Sequence, residues 1–128
     1  MPNFVIDTSA WIEYFKDSEK GRKAAAILED QTNQIFTSAA SVAEIISKTL
    51  KEGKETDAAL NHLNNSSVIV GITKDISILS GNIHFESKKK NKDFGMIDAF
   101  VVATARKLNA KILTTDYDFK SFKEAVIV

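Results

Sequence analysis

The chain has 128 residues, of which 44% are hydrophobic, and its 17 basic side chains are balanced by 17 acidic ones. This length supports one domain with a substantial core, and the zero net charge argues against a generally basic nucleic-acid binder while leaving local patches open. No cysteine is present, which excludes disulfides and thiolate metal sites. The longest apolar run, Ala99 to Ala103, is too short to span a bilayer, and the first residues lack the pattern of a secretory signal. We therefore expect a cytoplasmic protein without a membrane segment.

Five short runs rich in β-branched residues alternate with longer segments of helical periodicity. Most of the runs are continuously apolar, which is typical of strands covered on both faces, and the segments between them have the length of crossover helices. The pattern predicts an α/β protein with a parallel sheet in one domain, residues 1–128, without repeats or linkers. The predicted strands are Phe4–Ile6, Ile35–Thr37, Val68–Val70, Lys111–Thr114 and Ala125–Val128.

The spacing of apolar residues predicts helices between these strands. A first helix is expected to begin near Trp11, and a second, from Ser41, presents positions 42, 45, 46 and 50 to the core. The segment 75–88 directs positions 76, 79, 83 and 85 inward. The segment 97–108 forms a further stripe at positions 97, 100, 101, 105 and 108, and Asn109 is its predicted stop.

Four carboxylates lie beside the predicted strands. Asp7 directly follows the first strand, and Asp116 follows the fourth. Glu44 lies in the predicted first turn of the helix after the second strand, and Asp98 in the first turn of the helix before the fourth. Because a parallel sheet brings strand C-termini and the following helix N-termini to one rim, Asp7, Glu44 and Asp116 are predicted to lie together. Asp98 joins them if its helix starts at the same rim.

Each of these acids also has a purely structural explanation. Asp7 stands where a helix N-cap is expected, and Ser41-x-x-Glu44 has the spacing of a capping box. Asp98 complements the positive end of a helix dipole, and Asp116 suits a turn. For each residue taken singly the structural explanation is at least as good, so the joint placement carries the argument for a site.

A cation is the natural partner of clustered carboxylates, because they repel one another. Without cysteine, and with His62 and His84 on presumed helix faces, an all-oxygen site favours Mg²⁺ or Mn²⁺ over zinc. Such an ion polarises a phosphoryl oxygen and supplies a metal-bound hydroxide, which suits phosphodiester hydrolysis. Hydroxyls that can orient its waters follow the first and fourth strands, although they serve equally well as strand-end caps. They belong to Thr8, Ser9 and Thr114.

Other enzymes with acidic sheet edges fit the sequence less well. A phosphoaspartate receiver needs an acidic pair after the first strand and an Asp after the third, whereas Asp7 is alone and Gly71 follows the third strand. An aspartate-nucleophile phosphatase needs Asp-x-Asp, and Ser9 takes the second position. A phosphate-binding glycine loop is also missing from the sequence, which therefore favours a metal-dependent nuclease.

Four fragments follow one another along the chain: Val5–Ser9, Ser41–Glu44, Asp98–Ala99 with Ala103–Ala105, and Leu113–Phe119. Together they give the sequence a resemblance to the PIN-domain family, in particular to its VapC group of toxin ribonucleases. The resemblance implies a three-layer α/β/α sandwich with a central parallel sheet of four to five strands. It also implies Asp7, Glu44, Asp98 and Asp116 as the catalytic and metal-binding acids, with Thr114 as the hydroxyl near the fourth acid and Asp118 as a lesser candidate for that acid.

VapC-like proteins cleave RNA, are paired with a VapB-like antitoxin and are usually dimers. The resemblance thus implies an Mg²⁺- or Mn²⁺-dependent endoribonuclease that has an antitoxin partner and forms a homodimer. Small PIN proteins outside toxin pairs, including RNA-processing nucleases, keep the same acids and are an alternative, as are an inactive partner-binding module and a structural sandwich whose acids are caps. The basic run from Lys88 to Lys92 can bind RNA phosphates, although a solvated helix end explains it better.

Overall fold

Five parallel strands form one sheet in the computed structural model, which describes residues 1–128. Their order across the sheet is β3-β2-β1-β4-β5, so the chain starts in the centre, builds outward to one edge and then returns to build the other. All five predicted strands are confirmed, with small shifts at their ends. They are β1 (Asn3–Ile6), β2 (Gln34–Ser38), β3 (Val68–Val70), β4 (Lys111–Thr114) and β5 (Ala125–Ile127).

Six α-helices connect the strands, and a single 3₁₀ turn, Tyr117–Phe119, follows β4. The helix that was expected to begin near Trp11 starts earlier, immediately after Asp7. Asn109 is the stop that its position predicts, because it adopts the left-handed conformation (φ 51°) just after the last helix. None of the helices has the length and hydrophobicity needed to cross a membrane. The helices are α1 (Thr8–Lys16), α2 (Glu19–Leu28), α3 (Ala39–Lys51), α4 (Asp57–Ser66), α5 (Lys74–Lys88) and α6 (Met96–Lys107).

Two hydrophobic cores lie on opposite faces of the sheet. Val5 of β1 packs into a core with α5, α6 and the 3₁₀ turn, while its neighbours Phe4 and Ile6 pack into a core with α1 to α4. Ile112 and Leu113 of β4 divide between the two cores in the same way. This alternation follows from the two-residue period of a strand, and it confirms the predicted three-layer α/β/α sandwich.

Helix α6 departs from the predicted single apolar stripe. Residues 99 and 101–105 are all buried, whereas Phe100 is only partly buried. The helix contacts α5, α3 and three central strands, so it is covered on most of its circumference rather than on one face. Two other residues predicted to face inward are exposed: Leu50 in the last turn of α3 and Phe85 near the end of α5, at 59% and 64%. Periodicity identifies the face of a helix that points inward. It does not show where the neighbouring element stops covering that face, and beyond that point an inward residue is exposed.

Candidate active site at the carboxyl edge of the sheet

Asp7 lies at the centre of this edge, where β1 passes directly into α1. Its backbone N–H still donates to Leu113 of β4 (2.9 Å), while its extended conformation (φ −69°, ψ 153°) makes it the N-cap of α1. The carboxylate is buried, with 3% of the residue exposed. Burial raises the pKa of Asp7, and the Glu44 charge raises it further, against the lowering effect of hydrogen bonds from Ser9 and Thr114.

Two hydroxyls hold the Asp7 carboxylate. Ser9 Oγ donates to Asp7 Oδ2 at 2.7 Å, and Thr114 Oγ1 donates to the same oxygen at 3.0 Å. Each hydroxyl in turn accepts a backbone N–H from the chain after β4, Ser9 from Thr115 and Thr114 from Asp116, both at 3.0 Å. Both hydroxyl protons are thus directed to Asp7, and the network joins the ends of the neighbouring strands β1 and β4 around one carboxylate oxygen.

Two further hydroxyls, one on α1 and one on α3, are buried without a hydrogen-bond partner. They are Thr8 Oγ1, next to Asp7, and Ser41 Oγ, one helical turn before Glu44. A buried hydroxyl without a partner is costly, and it is normally satisfied by water or a ligand. The third predicted hydroxyl, Thr8, therefore does not bond the acids, and its free oxygen is suited to an ordered water.

Asp98 occupies the first turn of α6 and accepts a hydrogen bond from the backbone N–H of Gly95 at 2.8 Å. Partial burial raises its pKa to about 7, overcoming the Gly95 hydrogen bond, and the charges of Asp7, Asp116 and Glu44 add to the rise. Helix α6 therefore begins at the same rim as the strand ends, which the sequence left open. The capping role predicted for Asp98 and its place in the acidic cluster coexist.

Glu44 lies one turn further into its helix than the sequence suggested. Helix α3 begins at Ala39, and its N-cap is Ser38, whose hydroxyl accepts from the Ala40 backbone N–H at 3.2 Å. Ser41 is consequently inside the helix, and the predicted Ser41-x-x-Glu44 capping box is wrong. The end of β2 supplies a cap three residues earlier, so Glu44 falls in the second turn, where it makes no capping contact.

Asp116 and Asp118 are only two residues apart, but their carboxylates accept hydrogen bonds from different segments. Asp116 caps the 3₁₀ turn, since its Oδ1 accepts from the Asp118 backbone N–H at 2.8 Å. The Asp118 carboxylate instead accepts from Asn91 Nδ2 at 3.1 Å, in the connection between α5 and α6. The charge of Asp116, and not that of Asp118, contributes to the raised pKa of Asp98. This favours Asp116 over Asp118 as the candidate for the fourth acid.

Comparison with known proteins agrees with this architecture. The PIN domain family matches residues 4–125. The chain belongs to the PIN domain family. No curated protein sequence matches this PIN-domain chain, but 36 chains of solved structures do.

Three of these structures cover nearly the whole chain at low sequence identity. A toxin–antitoxin complex from Klebsiella pneumoniae is 24% identical, with a TM-score of 0.75 over 95% of this chain and 94% of the other. VapBC2 from Rickettsia felis, bound to a promoter DNA fragment, is 19% identical, with a TM-score of 0.75 over 98% and 97%. A Mycobacterium tuberculosis VapC toxin described as cleaving the sarcin–ricin loop is 17% identical, with a TM-score of 0.73 over 94% and 95%. At these identities the likeness establishes the fold.

The acidic residues of this PIN domain suit a hydrated cation. No group of three or more Asp, Glu or His side chains is arranged so that it could hold a metal ion. Mg²⁺, however, is usually bound by one or two carboxylates and keeps several waters. The all-oxygen donors, their mutual repulsion and the free hydroxyls of Thr8 and Ser41 fit such an ion. The histidines lie elsewhere: His62 contacts the Tyr14 hydroxyl at 3.2 Å and belongs to an aromatic cluster with Trp11.

Several polar contacts around the acids were not anticipated from the sequence. They are the Gly95 N–H that holds Asp98, the Thr115 N–H that fixes Ser9, and the bond from Asn91 to Asp118. Only the first has a local signal, a glycine at a helix start three residues before an aspartate. The other two join segments 106 and 27 residues apart, so no local pattern predicts them.

Proposed function

We propose that this PIN-domain protein is an Mg²⁺- or Mn²⁺-dependent endoribonuclease and the VapC-like toxin of a toxin–antitoxin pair. The observation that carries the proposal is the arrangement at the carboxyl edge of the sheet, where the buried Asp7 is held by Ser9 and Thr114, and Asp98 is held by the Gly95 N–H at the start of α6. The charges of Asp7, Asp116 and Glu44 act on Asp98, so that carboxylates from four segments share one field, as a cation site for phosphodiester hydrolysis requires. The likeness to a VapBC complex and to a VapC toxin described as cleaving the sarcin–ricin loop supports the choice of a toxin nuclease.

The residues divide into ligands and positioning groups. Asp7, Asp98, Glu44 and Asp116 would hold the ion directly or through its waters, and a bound ion would supply charge stabilisation at a phosphoryl oxygen and an activated water. Ser9 and Thr114 occupy one oxygen of Asp7 and leave Oδ1 available.

Metal dependence is the direct test of the nuclease proposal. EDTA should abolish cleavage of an RNA substrate, and Mg²⁺ or Mn²⁺ should restore it. Asp98→Asn and Asp7→Asn should lose cleavage in the presence of metal while keeping the wild-type circular dichroism spectrum. Cleavage that persists in EDTA and in both variants, in a preparation free of contaminating nuclease, would contradict an acidic metal site. Sequencing the RNA ends would then identify the target and the cut position.

The second part of the proposal concerns the partner and the cellular effect. Expression of the protein alone should slow growth, and a small VapB-like antitoxin should relieve the effect by placing a basic side chain among the acids. An RNA substrate and such a partner place the activity in the cytoplasm. A nuclease that is active but harmless would instead be an RNA-processing PIN enzyme. A chain that binds its partner but cleaves no RNA with any divalent ion would be an inactive binding module.

We also propose that the protein forms a homodimer, as VapC-like proteins usually do. Apolar side chains left exposed on this chain are available for such contacts, among them Val68 on the edge strand β3 and Phe85 on α5, which are 59% and 64% exposed. Light scattering should give twice the 14.1 kDa mass of the chain. A monomer at micromolar concentration would count against a stable dimer.

A further inference from the structure

A pocket of about 630 Å³ is lined by residues that neighbour two of the acids along the chain. It is formed by the end of α5, the connection from α5 to α6, and the 3₁₀ turn with the residues that follow it. Its polar wall includes Lys90 and Lys120, its mouth carries Tyr117, and Phe94 and Phe122 contribute apolar surface. None of these five side chains belongs to the acidic cluster.

The pocket and the acidic cluster share the same two loops. In the first loop, Phe94 contributes to the pocket and the next residue, Gly95, holds Asp98 through its N–H at 2.8 Å. In the second, Asp116 belongs to the acidic cluster and the next residue, Tyr117, lines the pocket. The bond from Asn91 to Asp118, at 3.1 Å, ties the two loops together. The pocket and the acids are therefore built on neighbouring residues of the same two loops.

Two basic side chains of the pocket, Lys90 and Lys120, form no ion pair within the protein. Both are exposed, and neither forms an ion pair within 4.0 Å. Arg106 is already occupied, with its Nε 2.8 Å from Glu124 and its guanidinium 5.8 Å from the Phe122 ring centre. Of the two carboxylates that line the pocket, Glu86 pairs with Lys89 at 3.3 Å, whereas Asp118 accepts from the neutral Asn91 amide and keeps its charge. Lys90 and Lys120 outweigh this one carboxylate, so the net charge left for a ligand is positive.

The lysines of the basic run 88–92 make different contacts in the structure. Lys88 Nζ donates to the Lys92 carbonyl at 2.9 Å, and Lys89 pairs with Glu86 and lies 4.5 Å from the Phe85 ring centre. Of the four lysines in the run, only Lys90 lines the pocket. The sequence favoured a solvated helix end for the whole run, and Lys90 is exposed there while it also lines the pocket.

The aromatic residues suit an unpaired base. Tyr117 is 72% exposed at the mouth of the pocket, although a large apolar ring gains by burial. Phe122 is fixed behind it, with its ring centre 5.2 Å from that of Phe94 and 6.3 Å from that of Phe119. Proteins that bind single-stranded nucleic acid combine such rings, on which bases stack, with lysines that contact the phosphates.

We infer that this pocket binds the unpaired nucleotides of an RNA strand next to the scissile phosphodiester, with phosphates at Lys90 and Lys120 and a base on Tyr117. The inference rests on the proposed nuclease function and adds to it a single-stranded substrate and a place for it. Lys90, Lys120 and Tyr117 are binding residues here and take no part in the hydrolysis.

Binding is best measured in an Asp98→Asn background, which prevents cleavage, by fluorescence anisotropy with a labelled single-stranded RNA oligonucleotide and with an RNA duplex. The double variant Lys90→Gln/Lys120→Gln is compared with Lys92→Gln/Lys123→Gln, which removes the same charge from exposed neighbours outside the pocket. We expect the first pair alone to weaken binding and to lower the slope of log affinity against log salt by about 1.4, that is about 0.7 per phosphate contact.

Tyr117 provides an independent readout of stacking. Tyr117→Ala should weaken single-stranded binding at least about fivefold, Tyr117→Phe should retain it, and duplex binding should be nearly unchanged. If the two lysine pairs behave alike and Tyr117→Ala binds normally while the wild type cleaves RNA, the pocket inference is wrong and the nuclease function stands. If the wild type neither binds nor cleaves RNA with Mg²⁺ or Mn²⁺, both are wrong.

Discussion

Replacing Asp98 by Asn should make the metal-free protein more stable at neutral and alkaline pH. The Asp98 pKa is raised from 3.8 to about 7 because the carboxylate is partly buried and lies near three other acids. A carboxylate with a raised folded pKa binds its proton more tightly in the native state than in the unfolded state. Its contribution to stability is therefore complete below about pH 4 and is lost as the pH rises to about 7. The Asn side chain removes the charge and can still accept from the Gly95 N–H.

The expected size of the effect follows from the same values. At 1.36 kcal/mol per pH unit, the interval from 3.8 to about 7 corresponds to about 4 kcal/mol. Asp98 is only half-buried, and solvent screening reduces this figure to about 2 kcal/mol. The pKa of Asp7 is raised as well, and its charge acts on Asp98, so the pH interval belongs to these two interacting carboxylates rather than to Asp98 alone. For a chain of this length, about 2 kcal/mol raises the melting temperature by about 8 °C.

Thermal melts of the wild type and Asp98→Asn in EDTA, from pH 4 to pH 8, measure this difference. The two proteins should melt together near pH 4 and diverge as the pH rises. Asp75→Asn is the matched control, because Asp75 also lies in the first turn of a helix but outside the cluster. The control should lower stability, by up to about 1 kcal/mol. Mg²⁺ should then raise the melting temperature of the wild type more than that of Asp98→Asn.

The opposite result would remove the basis of the clustered site. If Asp98→Asn melts below the wild type throughout the pH range, Asp98 is a helix cap whose bond to Gly95 outweighs any repulsion. Asp7→Asn provides a second measurement with the same expected sign, since burial raises the pKa of Asp7 as well. If both variants are destabilised without metal, the acids do not form a strained cluster.

Three further predictions test the packing around the site. Phe119 is fully buried, so Phe119→Ala should lower the free energy of unfolding, measured in urea, by about 3–5 kcal/mol. Phe100 is only half-buried, so Phe100→Ala should lower it clearly less, and equal losses would contradict the burial assigned to Phe100. A Cβ on Gly21 would lie 2.0 Å from a backbone oxygen of α1, so Gly21→Ala should destabilise the protein by at least about 1–3 kcal/mol. Gly81 in α5 has open space around it, so Gly81→Ala should stabilise the protein by about 0.5–1 kcal/mol. Thr114→Val removes the hydroxyl that links two strand ends, and it should lower both cleavage and stability, with Thr114→Ser retaining most of each.

The sequence located the strands well because their signals are local and strong. Runs such as Val5–Ile6 and Ile112–Leu113 are apolar at every position, and only a strand covered on both faces needs such a run. Each acid was also recognisable as a polar residue at the end of such a run or at a helix start. These local signals do not show which part of a helix is covered by a neighbouring element. The buried extent of α6, the exposure of Leu50 and Phe85, and the start of α3 all depend on the elements that pack against them.

The sequence by itself therefore determined the α/β class, the parallel sheet and the positions of Asp7, Glu44, Asp98 and Asp116 along the chain. Only the tertiary structure decided that α6 starts at the same rim as β1 and β4, and that Asp116 rather than Asp118 contributes to the acidic field. It also decided that Lys90, alone of the four lysines in its run, lines a pocket. The physical reason is separation along the chain. Strand and cap signals span a few residues, whereas the field at Asp98 is the sum of charges from segments that only the crossovers and the packing of the helices bring together.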